Sequence, residues 1–95
     1  MTADRYITEG TIEPFQYVQL TDLGSAVGVG SGGGRVALIQ SLNQNVRWRD
    51  DGSNPTTSVG MRLHAGETML YTGNLRNLKF IEEAAGAELN ISLYE

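Results

Sequence analysis

The apolar residues of this 95-residue chain recur at alternate positions in short runs, and no stretch sustains the three-and-four spacing of an amphipathic helix. Gly, Asp, Asn and Pro cut the runs at intervals of roughly 8–12 residues, the rhythm of an antiparallel sandwich or barrel. Residues 15–20 alternate aromatic and polar side chains before the breakers Asp22, Gly24 and Ser25. Residues 26–34 are a weak, glycine-rich patch, and Val36, Ala37, Leu38 and Ile39 form a continuous apolar run suited to a strand buried on both faces. Residues 45–49 put Val46 and Trp48 on one face and Arg47 and Arg49 on the other. Residues 58–64 set Met61 and Leu63 opposite Arg62 and His64, and residues 68–71, 78–81 and 89–94 complete the series. The strongest loop signal is 50–55, and the helix-prone stretch 82–88 is interrupted by Gly86 and reads as a turn. The expected fold class is all-β, a compact antiparallel β-sandwich or barrel with roughly seven to eight short strands. Its expected core is Val18, Leu38, Val46, Trp48, Met61, Leu63, Met69, Phe80, Leu89 and Ile91.

One domain is all this length supports, and such a chain buries roughly 60–65% of the surface its unfolded form exposes. The domain is expected over residues 14–95. Residues 1–13 mix Arg5, Tyr6 and Ile7 with polar residues in no clear period, and read as an N-terminal arm that docks on something. There is no cysteine, so neither disulfides nor thiolate metal sites can supplement the small core; packing or assembly must do so. Net charge is −4, and only Lys79 among the seven cations is a lysine, which argues against nucleic acid as a partner. No apolar run approaches the ~20 residues of a membrane helix, and the first residues lack a signal-peptide pattern. The expectation is a chain made in the cytoplasm that stays off membranes.

Chemistry-bearing motifs are few. Gly28, Gly30 and Gly33 match a dinucleotide fingerprint, but the glycines run into a strand rather than a helix whose N-terminus could hold pyrophosphate. His64 is the single histidine, and no serine sits in a nucleophile-elbow pattern. Asp50 and Asp51 lack the spaced oxygen ligands of a calcium loop and read as turn-formers before Gly52. The expectation is therefore a non-enzyme with no cofactor and no bound metal. In Arg47-Trp48-Arg49 the alternation sends Trp48 to the core and leaves two guanidinium groups outside. There they either balance Asp50 and Asp51 or meet a partner's carboxylate. The candidate partner-binding residues are Tyr6, Ile7, Phe15, Arg47 and Arg49.

Several segments carry a resemblance. They are 45–52, then Pro55-Thr56, then 59–63, then Ala65-Gly66-Glu67 and Tyr71-Thr72-Gly73, closed by 87–92. Together they resemble a group of short proteins encoded among the virion genes of tailed bacteriophages. The resemblance covers residues 15–94 and rests on turns and strands rather than catalytic groups. It narrows the expected fold to a compact antiparallel β-sandwich, jelly-roll-like, and implies one that decorates and cements the outer surface of an icosahedral capsid, its partner being the major capsid protein. The alternative is a head or tail fibre module that binds glycan or another virion protein, with Trp48 or exposed tyrosines as a sugar platform. The location implied is the virion surface after synthesis in the host bacterial cytoplasm. The expected working form is a homo-oligomer, a trimer ahead of a dimer.

Overall fold

The computed structural model describes residues 14–29 and 35–94, with Phe15 described in its backbone alone. Eight strands occur in chain order: β1 (Pro14–Leu20), β2 (Val27–Gly28), β3 (Val36–Leu42), β4 (Val46–Arg49), β5 (Met61–Leu63), β6 (Thr68–Thr72), β7 (Lys79–Glu82) and β8 (Glu88–Tyr94). They form two four-stranded sheets ordered β1-β8-β3-β6 and β2-β7-β4-β5. Every pairing is antiparallel. No α-helix occurs among the described residues; a single 3₁₀ turn, Leu75–Asn77, links β6 to β7.

The pairings β1·β8, β2·β7, β3·β6 and β4·β5 are those of one long hairpin folded at its middle and rolled over itself. The β8·β3 and β7·β4 pairings then close the two sheets. This is the jelly roll, which leaves only short edges open. Only β4 and β5 are consecutive and paired within one sheet, so residues 50–60 are the tip of the rolled hairpin. That tip is the segment with the strongest turn chemistry in the sequence. Asp51 accepts the Ser53 N–H at 3.1 Å, and Gly52 takes a φ of 85°.

Alternation puts Val18, Leu20, Ala37, Ile39, Met69, Tyr71, Leu89, Ile91 and Leu93 on the inner face of the β1-β8-β3-β6 sheet. Val27, Val46, Trp48, Leu63 and Phe80 face them from the other sheet. Connections also fill the core: Leu23, Val29, Leu75, Leu78 and Ala87 all lie outside strands and are all buried. They plug the open ends of a sandwich whose strands are too short to enclose it.

Two core expectations are corrected. Met61 shares a face with Leu63 but lies at the start of the edge strand β5, beyond the opposing sheet, and is 62% exposed. Leu38 pairs with Leu70 and Ser92 on the outer face of its sheet, so β3 is sealed on one side by Ala37 and Ile39 and only half covered on the other. Val18, Trp48 and Met69 pack against the core while remaining partly exposed.

Candidate functional site

The tip loop and the strands beside it gather most of the polar chemistry. Arg47, Arg49, Arg62 and Lys79 project from the outer face of the β2-β7-β4-β5 sheet, as the pairings Arg47↔Arg62 and Arg49↔Lys79 require. Four of the chain's seven cations thus share one face of an acidic protein. Arg47 is held on both sides, its Nε donating to Glu83 Oε2 at 2.5 Å and its Nη1 to the Gly60 carbonyl at 3.0 Å. Arg62 Nε donates to the same Glu83 oxygen at 2.8 Å. The bond from Arg62 is the largest cause holding the Glu83 carboxyl below the usual carboxylate range; burial pushes the other way, and the bond from Arg47 adds to that of Arg62.

Arg49 grips Asp51 through two parallel N–H bonds, from Nε at 3.1 Å and from Nη2 at 2.5 Å. The Asp51 carboxyl is lowered chiefly by that bond and next by the Ser53 N–H. Asp50 turns the other way and accepts the Tyr71 hydroxyl at 3.0 Å. Tyr71 meets Trp48 edge-on across the sandwich, with ring centroids 6.2 Å apart. Burial, and then the bond to Asp50, raises the Tyr71 hydroxyl above its ordinary value.

Trp48, Arg49, Asp50, Asp51, Gly60, Val59 and Met61 line a shallow notch of about 260 Å³. Val59 and Met61, 50% and 62% exposed, are two of the three large apolar side chains most open to solvent among the described residues. An apolar spot with a polar rim, here the paired Arg49 and Asp51 beside Asp50, has the layout of a protein-interface centre. Register also fixes the end of the molecule at which it lies. Pro14 pairs with Tyr94, Tyr94 with Val36 and Val36 with Thr72, and Tyr71 beside Thr72 bonds Asp50 at the base of the tip loop, so the start of β1 and the tip loop share one end of the sandwich.

The chain matches no protein-family model, no curated protein and no solved structure. Its own geometry therefore carries the functional argument.

Of the sequence candidates, Arg49 lines the notch, and Arg47 lies behind it, braced between Glu83 and the tip loop. Phe15 lies in β1 at a register shift against β8. Its side chain lies outside the described residues, and so do Tyr6 and Ile7 of the expected arm. Trp48 packs on the core, with its indole edge toward Tyr71. His64 is exposed, and its Nδ1 lies 3.1 Å from Glu67 Oε1. The same oxygen accepts the His64 backbone N–H at 2.7 Å, so the carboxylate fastens the turn into β6. Among the described residues no group of three or more His, Cys, Asp or Glu side chains is arranged to hold a metal ion. Sequence reasoning missed Val59, Met61 and Glu83 as members of this region. Met61 looked like core because alternation reports a face, not how far the opposing sheet reaches.

Proposed function

We propose that the chain is a non-enzymatic accessory of a tailed-bacteriophage virion that docks on the outside of the icosahedral capsid and cements it. The observation that carries this reading is the coincidence, at one end of the sandwich, of the notch around Val59 and Met61 and the point where residues 1–13 join β1. Both expected attachment elements, the arm and the arginine-bearing β4–β5 region, then act toward the same partner surface. Glu83 balances Arg47 and Arg62 and Asp51 balances Arg49, so the exposed apolar pair Val59 and Met61 is what the notch offers a partner, here the major capsid protein. Tight pairing of Asp50, Asp51 and Glu83 to neighbours gives these groups structural work rather than acid–base work.

Quantitative mass spectrometry of purified virions tests the reading. Hundreds of copies per particle are expected. A few copies would transfer the protein to a head or tail fibre, and none would overturn the virion assignment.

A further inference from the structure

The outer face of the β1-β8-β3-β6 sheet contrasts with the cation-bearing outer face of the other sheet. Its strands send out Tyr17 and Gln19 from β1, Val36, Leu38 and Gln40 from β3, and Thr68 and Leu70 from β6; from β8 come Asn90, Ser92 and Tyr94. Glu88 and Leu42 complete it at one end and Thr72 at the other, so its charges, Glu88 and the bordering Arg35, lie at the two ends. In a chain where 19% of residues are charged, such depletion together with exposed tyrosine marks an interface centre. The polar groups in the middle are already matched to one another. Asn90 Oδ1 accepts from Tyr17 Oη at 2.7 Å and Gln19 Nε2 at 3.0 Å, while Asn90 Nδ2 donates to Gln40 Oε1 at 3.3 Å. These bonds hold Tyr17, Gln19, Gln40 and Asn90 in one arrangement before any partner arrives.

We infer that this face is a self-association surface, and that its occupant is the same face of a second copy related by a two-fold axis. Shape supports the choice. Tyr17, 63% exposed, stands beside a groove of about 170 Å³ that it walls together with Leu38, Gln40, Thr68, Asn90 and Ser92. A raised ring beside a recess on one face suits a two-fold contact, in which each Tyr17, its hydroxyl still on Asn90, packs against the rim of the other copy's groove. Charge supports it as well. The arginine-bearing face of the opposite sheet would set cation against cation if it met itself, whereas this one brings two nearly neutral surfaces together. Size agrees: four strands about 4.8 Å apart and up to seven residues long offer a plan area of about 450 Å² per copy. Pairing two such faces covers about 900 Å² of plan area, which corrugation brings to the ~1,000 Å² threshold of a specific interface, so a weak dimer is expected. The inference stands apart from the virion reading, since self-association is measured on the isolated protein.

Sedimentation velocity of the 95-residue chain from about 1 to 100 µM tests it. A dimer is expected. Tyr17→Ala, which removes the projection, and Gln40→Arg, which puts a charge into the middle of the face, should each weaken dimerisation about ten-fold or more. Val59→Arg at the far notch should leave it unchanged, and all three should keep the wild-type circular dichroism spectrum. A wild-type monomer throughout that range overturns the inference. So does an oligomer indifferent to both Tyr17→Ala and Gln40→Arg. A monomer that binds maltotriose, with the Tyr17 ring resonances shifting, would assign the groove to sugar instead; a dimer that appears only after residues 1–12 are deleted would assign the face to the arm.

Discussion

At the scale of single residues, Gly60 carries the tightest constraint in the functional region. Its φ is 137°, and a Cβ there would lie 3.0 Å from the Trp48 carbonyl oxygen, 3.2 Å from Arg47 Cβ and 3.3 Å from Pro55 Cβ. Gly66 also has a positive φ, 87°, but a Cβ there meets nothing within 4 Å. Gly66→Ala should therefore cost about 1 kcal/mol from backbone strain alone. Gly60→Ala should cost about 2–3 kcal/mol, because the tip loop must also move away from β4. Paired urea titrations measure the difference, and equal losses would show that the loop does not press on β4. Glu83 makes a second residue-level prediction, one of pH. Its carboxyl is lowered by Arg62 and Arg47, so the stability it confers is present above its unfolded value and disappears as pH falls through the folded one. Thermal melts should show wild-type stability falling on the acid side of roughly pH 4.3, with a smaller fall in Glu83→Gln, which is already less stable at neutral pH. Tyr71 is raised, so its contribution runs the opposite way, present below about pH 10 and lost as the solution becomes more alkaline. Tyr71→Phe should remove that alkaline loss.

Among the elements, the connections matter as much as the strands. Leu78 and Leu23 lie in links between strands yet are completely buried. Leu78→Ala should destabilise by about 2–5 kcal/mol, whereas Met61→Ala, on a strand but exposed, should fall within about 0.5 kcal/mol of wild type. Chemical denaturation decides between them, and the reverse order would mean that β5 is sealed against the opposing sheet. This contrast also defines what could be read from the sequence. Alternating or continuous apolar runs between breakers located seven of the eight strands, and alternation put Val46, Leu63 and Ile91 inside, because face assignment follows from the backbone geometry alone. It could not find β2, whose two residues are too short to show a period. Nor could it see the plugs Leu23, Val29, Leu75, Leu78 and Ala87, since burial in a connection depends on where the chain crosses the ends of the sandwich. The tip loop was legible from Asp51, Gly52 and Pro55. Its notch was not, because Glu83, which braces the arginines behind it, is 36 residues from Arg47 in the chain.

For the whole molecule, the roll of the hairpin separates three surfaces. One outer face is nearly uncharged, the other carries four cations, and one end carries both the tip loop and the start of β1. A chain with this division can associate with itself and still present its end to a larger lattice. The last prediction follows from placing attachment at that end. All described strand pairings lie within residues 14–94, so deleting residues 1–12 should leave the β-sheet circular dichroism spectrum intact while weakening retention on capsids. Val59→Asp with Met61→Asp should keep the fold too, because both side chains are open to water. In a bound state, however, the pair would put two unpaired carboxylates in the contact and remove the apolar centre, a loss of roughly ten- to hundred-fold in affinity. Co-sedimentation of each variant with empty capsids separates the contributions. If the notch and the arm act toward one surface, combining the deletion with the double substitution abolishes binding, and each change alone leaves a measurable remainder. If both variants decorate as tightly as the full chain, the sandwich meets its partner by another surface, and Arg62 and Lys79 on the cationic face become the next residues to reverse.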